Sequence, residues 1–176
     1  MELQDYPNYF QASDKLSIDS QKKYLNIMRI DLLSMVFAAL LAIYSFQATD
    51  LKLFAHVLTG LALLLGLVLT IILKSKKYED IWYQGRALAE SCKTISWRFS
   101  MCSEHFESSI PTEKVKERFI VRIREIANEF SNLSNSLDTK ILNKEIITDK
   151  MLDLRNFSVQ EKIDYYITYR IENKKE

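Results

Sequence analysis

The sequence predicts an all-α membrane protein: a two-helix transmembrane hairpin, with long cytoplasmic helices packed as a coiled-coil-like bundle. Three observations carry this. Leu53–Leu73 is a run of 21 residues without Asp, Glu, Lys or Arg, which at about 1.5 Å per residue matches a bilayer core of about 30 Å. A second apolar segment, Ile30–Ala48, precedes it by only a short link. Beyond them, apolar residues recur at helical spacing along two further stretches. With only 3 Gly and 2 Pro in 176 residues, few positions favour turns.

Residues 1–12 read as irregular, with Pro7 blocking an early helix and Ser13 or Asp14 as candidate caps for a helix that follows. The start lacks the apolar core and basic flank of a signal peptide. The ragged helix of residues 13–29 leads into the first span, Ile30–Ala48, whose uncharged heart is Leu32–Phe46.

The link between the spans, Gln47–Lys52, is too short to do anything but reverse the chain. Both ends of the hairpin then lie on one side of the membrane. Lys15, Lys22, Lys23 and Arg29 precede the first span and Lys74, Lys76 and Lys77 follow the second, whereas the link carries only Lys52. The positive-inside rule therefore puts both termini in the cytoplasm. Small residues recur every four positions, Ser34, Ala38 and Ala42 facing Ala62, Gly66 and Thr70, as in helices that approach closely. An antiparallel register with paired numbers summing near 100 brings Ser34 to Gly66 and Ala38 to Ala62. It also puts Asp31 near Thr70 and Tyr44 near His56. Asp31 reads either as a gate or ion-path residue or as an interfacial charge satisfied by Thr70 or Lys74. His56 reads either as a proton relay or as a partner of Tyr44 at the outer interface.

The second span is expected to continue as helix, without a break, into a heptad stalk. Ile81, Gly85, Leu88, Cys92, Ile95, Phe99, Cys102 and Phe106 are spaced 4, 3, 4, 3, 4, 3, 4. On adjoining faces lie Trp82, Arg86, Glu90, Lys93 and Trp97. Arg86–Glu90 is an i,i+4 pair, Glu90–Lys93 an i,i+3 pair, and Lys93 can lie over Trp97. Ser108–Pro111 break the stalk. A second helix begins near Thr112 and carries Phe119, Ile123, Ile126, Phe130, Leu133 and Leu137 at the same spacing. A short helix is expected around Thr148–Leu154. Ser158 and Glu161 form a capping box that opens a last helix running to the terminus. The whole reads as one domain over 1–176: a cytoplasmic helix at 1–29, the hairpin at 30–73 and a cytoplasmic helical region at 74–176.

Catalytic chemistry finds no purchase. No glycine-rich phosphate loop, HExxH or CxxC is present. The two histidines, His56 and His105, fall in different compartments of the predicted topology, and Cys92 and Cys102 match no metal spacing. Adjacent carboxylates such as Glu79–Asp80 point to different sides of a helix. A net charge of +1 argues against a nucleic-acid binder. No enzyme activity, cofactor or metal is expected.

Several strings are similar to those of a known family. Tyr6–Leu25 (YPNYFQASDKLSIDSQKKYL) is followed by Arg29-Ile30-Asp31 at the first span. After the second span comes Trp82-Tyr83-Gln84-Gly85-Arg86-Ala87-Leu88-Ala89-Glu90-Ser91, then Lys93-Thr94 and Ser96-Trp97-Arg98-Phe99, and the tail carries Tyr165, Arg170, Ile171 and Glu172. Together these resemble the SLATT family, two-transmembrane modules of prokaryotic conflict systems, over nearly the whole chain. One departure is the tail, whose helix in the family often continues with further aromatics; ending at Glu176, this chain reads as a truncated or short form.

The resemblance implies a membrane effector of anti-phage defence. It would oligomerise and form a pore, or disrupt the inner membrane, when triggered, arresting or killing the infected cell. Implied partners are the lipid bilayer, further copies of the chain, and a nucleotide-second-messenger synthase, nucleotide sensor or other defence protein encoded nearby. The alternative is a non-conducting anchor that recruits a soluble partner through its cytoplasmic helices. Trp82, Gly85, Arg86, Glu90, Lys93 and Trp97 are the candidate residues for helix packing, subunit contact or signal coupling, with the control point at the junction Lys74–Arg86.

Overall fold

A computed structural model describes residues 1–47 and 52–171. Every regular element among them is helical: α1 (Asn8–Gln47), α2 (Lys52–Lys76), α3 (Tyr78–Ser100), α4 (Thr112–Glu129), α5 (Thr139–Leu142), α6 (Asp149–Arg155) and α7 (Val159–Tyr166). Short 3-10 turns cover Leu3–Asp5 and Ser131–Ser136, and a π-helical turn, Ile167–Ile171, follows α7. The chain divides into two compact units. One, Ile18–Trp82, holds the apolar hairpin; the other, the helical body, combines Met1–Ser17 with Tyr83 onward.

The first helix starts earlier than the sequence suggests. Pro7 does not block it; its carbonyl accepts from Gln11 N at 3.1 Å and so belongs to the helix's opening turn. Proline is tolerated there because the first amides of a helix have no partner to lose. Ser13 and Asp14 are accordingly inside the helix rather than at its cap. Ser13 is buried and its hydroxyl donates back to Tyr9 O at 2.7 Å.

In the hairpin unit, α1 and α2 each contain a stretch long and apolar enough to cross a membrane. The end of the first predicted span, Ala48, and link residues 49–51 lie outside the described residues. Ser34, Ala38 and Ser45 of α1 are buried, as are Ala55, Ala62 and Gly66 of α2, while Leu33, Leu40, Leu61, Leu64 and Leu67 are exposed. That division fits antiparallel packing through small residues with the large apolar ones turned outward. A Cβ added at Gly66 would sit 3.3 Å from both Asp31 Oδ1 and Ser34 Oγ. The predicted Ser34–Gly66 pairing is therefore present. Gly60, six residues earlier, faces open space.

The expected unbroken passage from span to stalk is interrupted. Lys77 adopts a left-handed backbone (φ 50°), separating α2 from α3, and its carbonyl accepts from Ile81 N at 3.0 Å to start the new helix. The stalk also ends sooner. Helix α3 stops at Ser100, and Cys102 (φ 55°) and His105 (φ 71°) carry the chain through a turn. Cys102 and Phe106 thus lie beyond the helix whose stripe they extend in sequence.

The helical body is built around α3. Its buried face, Gly85, Leu88, Ala89, Cys92, Ile95, Ser96, Trp97 and Phe99, is wider than an a/d seam. Such a face belongs to a helix packed on several sides. Phe99 meets Phe119 of α4 at 4.5 Å between ring centroids, and Phe106 folds back to within 5.8 Å of Phe99. Val115, Phe119, Ile123 and Ile126 form the buried stripe of α4. The stripe outlives the helix: α4 ends at Glu129, and Leu133 and Leu137 are buried from the 3-10 turn and its end.

Thr148 caps α6 by accepting from Met151 N, and Ser158 with Glu161 forms the expected capping box on α7. The last residues of the predicted tail helix, 172–176, lie outside the described residues.

Candidate functional site

The residues singled out in sequence fall into the two units. The hairpin holds Asp31, Ser34, Ala38, Ala42, Ala62, Gly66, Thr70 and His56. Trp82 closes the same unit, its ring 6.3 Å from that of Tyr24. Gly85, Arg86, Glu90, Lys93 and Trp97 belong to the helical body.

Within the hairpin, Asp31 lies deeper than the sequence suggests. It is 9% exposed and its Oδ1 meets the gap at Gly66 rather than Thr70. Gly66 is seven residues inside the last apolar residue of the run, Leu73, or roughly 10 Å along the axis. Oδ1 has no hydrogen-bond partner. Ser34 cannot supply one in this arrangement because its hydroxyl donates to Asp31 O at 2.7 Å. His56 is exposed and its Nδ1 lies 2.7 Å from Lys52 O, one turn back on its own helix; the predicted Tyr44 contact gives way to this local bond. Ala42 O receives the Ser45 hydroxyl at 2.7 Å.

In the helical body, α3 lies against the start of α1 at Gly85. A Cβ there would touch Ser13 O and Ser17 Cα and Cβ, each at 3.4 Å. The next residue, Arg86, holds two carboxylates: Glu90 on its own helix at 2.8 Å and Asp14 of α1 at 3.3 Å. The second contact is one that local spacing does not reveal. Burial raises the Asp14 carboxyl above its ordinary range, and Arg86 opposes that shift.

Glu90 pairs with Arg86 and, among the described residues, forms no ion pair with Lys93, though its charge still favours the Lys93 ammonium. Nor does Lys93 lie over Trp97. Its ammonium sits over Tyr6 and Phe10, 5.9 and 6.0 Å from the ring centroids. Burial lowers the Lys93 ammonium, and Arg170 adds to the lowering. Trp97 is buried; its indole N–H donates to Tyr6 Oη at 3.0 Å and its ring meets Tyr166 edge-on at 5.3 Å. Burial pushes the Tyr6 hydroxyl up to about 12.

Three residues that fasten this region were not among the predicted site residues. Asn8 donates its side-chain amide to Leu142 O (2.5 Å) and Lys144 O (3.0 Å), tying the start of α1 to the α5 turn. Arg155 donates Nη1 to Phe99 O (2.5 Å) and Phe106 O (3.1 Å), with its guanidinium 4.6 Å from the centre of the Phe99 ring. It closes the C-terminal end of α3. Arg170 borders the cavity that holds Lys93. Arginine near a helix C-terminus is a familiar pattern, but Arg155 caps a helix more than fifty residues away, and nothing local marks that.

Two clefts also open on the body. One of about 690 Å³, between the end of α3 and α4, carries both signs of charge, with Arg98 paired to Glu104 and Arg122 to Glu125. The other, about 680 Å³, is lined by Trp97, Cys102, Lys162 and Tyr166 among others. Lys162 Nζ lies 3.3 Å from Cys102 Sγ and 2.8 Å from Arg155 O. Among the described residues no three His, Cys, Asp or Glu side chains cluster as metal ligands.

An all-helical chain with two long apolar helices and a helical body at its ends defines a two-span membrane protein. Its sequence matches the family model described as "SMODS and SLOG-associating 2TM effector domain 3" over residues 7–163. The chain belongs to that family, and is thereby a membrane effector of the kind found in conflict systems. No curated protein and no solved structure matches it.

Proposed function

We propose that this protein is the membrane-damaging component of a prokaryotic anti-phage system: several copies assemble in the inner membrane and, when triggered, form a pore or lesion. The observation that carries the reading is the hairpin. Each copy offers two spans, which enclose no lumen alone, and Asp31 and Ser34 face inward at Gly66 while bulky apolar residues face outward. Copies would have to associate before such polar groups could line a passage. The basic residues flanking the spans support cytoplasmic termini, where the helical body meets a trigger from a nucleotide-second-messenger synthase, nucleotide sensor or other defence protein. Gly85, Arg86, Glu90, Lys93 and Trp97 pack the body and Trp82 the hairpin unit, in keeping with a coupling role.

The test is membrane potential in cells expressing the chain with and without its neighbouring gene. Depolarisation that needs both supports the proposal. Capture of a soluble partner with no depolarisation under any trigger supports a passive anchor instead. Glu90→Ala should weaken oligomerisation or triggering while membrane insertion persists; a variant unchanged in both assays removes that residue from the mechanism.

A further inference from the structure

A cavity of about 230 Å³ lies in the helical body among Met1, Tyr6, Phe10, Lys93, Tyr169 and Arg170. Its polar side is made of side-chain donors: an ammonium, a guanidinium and phenol hydroxyls. Among the described residues no carboxylate lines it. The nearest acids are engaged elsewhere. Asp14 and Glu90 are both on Arg86. Asp5 and Glu2 close the first 3-10 turn, with Asp5 accepting from Glu2 N at 2.8 Å. Among the described residues neither Lys93 nor Arg170 forms an ion pair; Arg170 lies close enough to disfavour the Lys93 charge, an influence that Glu90 opposes from its place on Arg86. Arg170 Nη1 is buried with no acceptor.

A buried donor without a partner is costly, and Arg170 Nη1 is such a donor at the edge of this cavity. Arg170 offers a planar fork suited to an oxyanion and Lys93 a point charge. We propose that this cavity is a binding site for a small phosphate monoester or inorganic phosphate, held by Arg170 and Lys93. Two cations match a dianion better than they match a single carboxylate. The void has the volume of about seven waters, more than a phosphate needs, and Phe10 and Tyr169 form an aromatic wall beside it. A phosphate carrying a flat ring should therefore bind better than phosphate alone, by about twofold to tenfold for one aromatic contact.

The experiment uses the full chain in micelles of a neutral detergent. Thermal unfolding is followed against inorganic phosphate, phenyl phosphate and sodium chloride at matched ionic strength. Both phosphates should raise the midpoint saturably, phenyl phosphate at lower concentration. Arg170→Gln and Lys93→Gln should each weaken binding at least tenfold, Arg170→Lys should retain part of it, and Arg124→Gln should not change it. A rise that does not saturate and persists in both glutamine variants is a general salt effect and overturns the proposal. Line broadening of the phenyl phosphate phosphorus resonance by the wild-type chain gives a readout independent of variant folding; its absence at millimolar ligand also overturns it. A parallel arm compares nanodiscs with and without phosphatidic acid. Protection in micelles alone assigns a soluble ligand, protection in those nanodiscs alone assigns a lipid headgroup, and protection in neither overturns the site.

Discussion

Arg155 offers the sharpest test of how the helical body is held together. Its guanidinium satisfies two carbonyls at the frayed end of α3, Phe99 O and Phe106 O, and lies over the Phe99 ring. Arg155→Met keeps the apolar stem and removes the charge and the donors. A hydrogen bond to a charged donor contributes about 1.5–3 kcal/mol, and a partly desolvated cation over a ring about 1 kcal/mol. The two bonds share one nitrogen and are not additive, so the expected loss is about 3 kcal/mol, more than a hundredfold in the folding equilibrium. Arg155→Lys can reach one carbonyl and should recover roughly half. Equilibrium proteolysis of the full chain in micelles reads the opening of the body directly, provided cleavage is slow relative to reclosing. Arg124→Met, at an exposed position of α4, is the control. If Arg155→Met falls within about 0.5 kcal/mol of wild type, the range of ordinary surface changes, or matches the control, then Arg155 is not the clasp described here.

Three further outcomes follow from particular contacts. Gly66→Ala places a Cβ 3.3 Å from Asp31 Oδ1 and Ser34 Oγ, so it should cost about 1 kcal/mol or less and Gly66→Ile about 1–3 kcal/mol by overpacking, whereas Gly60→Ala meets nothing; disulfide formation between cysteines placed at Ala38 and Ala62 reports hairpin closure. Cys92 is fully buried and burial pushes its thiol up to about 12, so native protein near neutral pH should take up one maleimide, at the half-exposed Cys102, and denatured protein two, by intact mass. Because the Lys93 ammonium is lowered in the fold, the folded chain releases that proton before the unfolded one does; stability of the phosphate-free protein should therefore rise with pH between the folded value and the ordinary lysine value, and Lys93→Gln should flatten that segment of the melting-temperature profile.

The hairpin was the most legible part of the chain because its determinants are local. An uncharged run, a short link and small residues every fourth position fix length, reversal and register together. The caps at Thr148 and Ser158 were legible for the same reason. Pro7 misled because proline ends helices and starts them equally well, and only its neighbours in space distinguish the two. The break at Lys77 was invisible, since a left-handed lysine carries no mark of the kind glycine gives. The site was half legible. Arg86–Glu90 could be counted along one helix, but the Asp14 contact to Arg86 comes from the other end of the sequence, as do the Tyr6 and Phe10 rings under Lys93. Partnerships such as Asn8 with Leu142 and Arg155 with Phe99 depend on closure of the body and have no local signature.

The membrane hairpin is an insertion in the sequence of the helical body: Met1–Ser17 complete a unit whose remainder begins at Tyr83. This imposes an order on the chain's biogenesis. Asn8 cannot find Leu142 and Lys144 until most of the protein has been made, which at a synthesis rate of about 5–20 residues per second takes on the order of ten seconds. By then both apolar helices have emerged and can already be in the bilayer. The first turn of the body thus waits, with Tyr6 and Phe10 uncovered, until α3 and the α5 turn arrive. Synthesis itself delays closure of the body until after its own anchor exists.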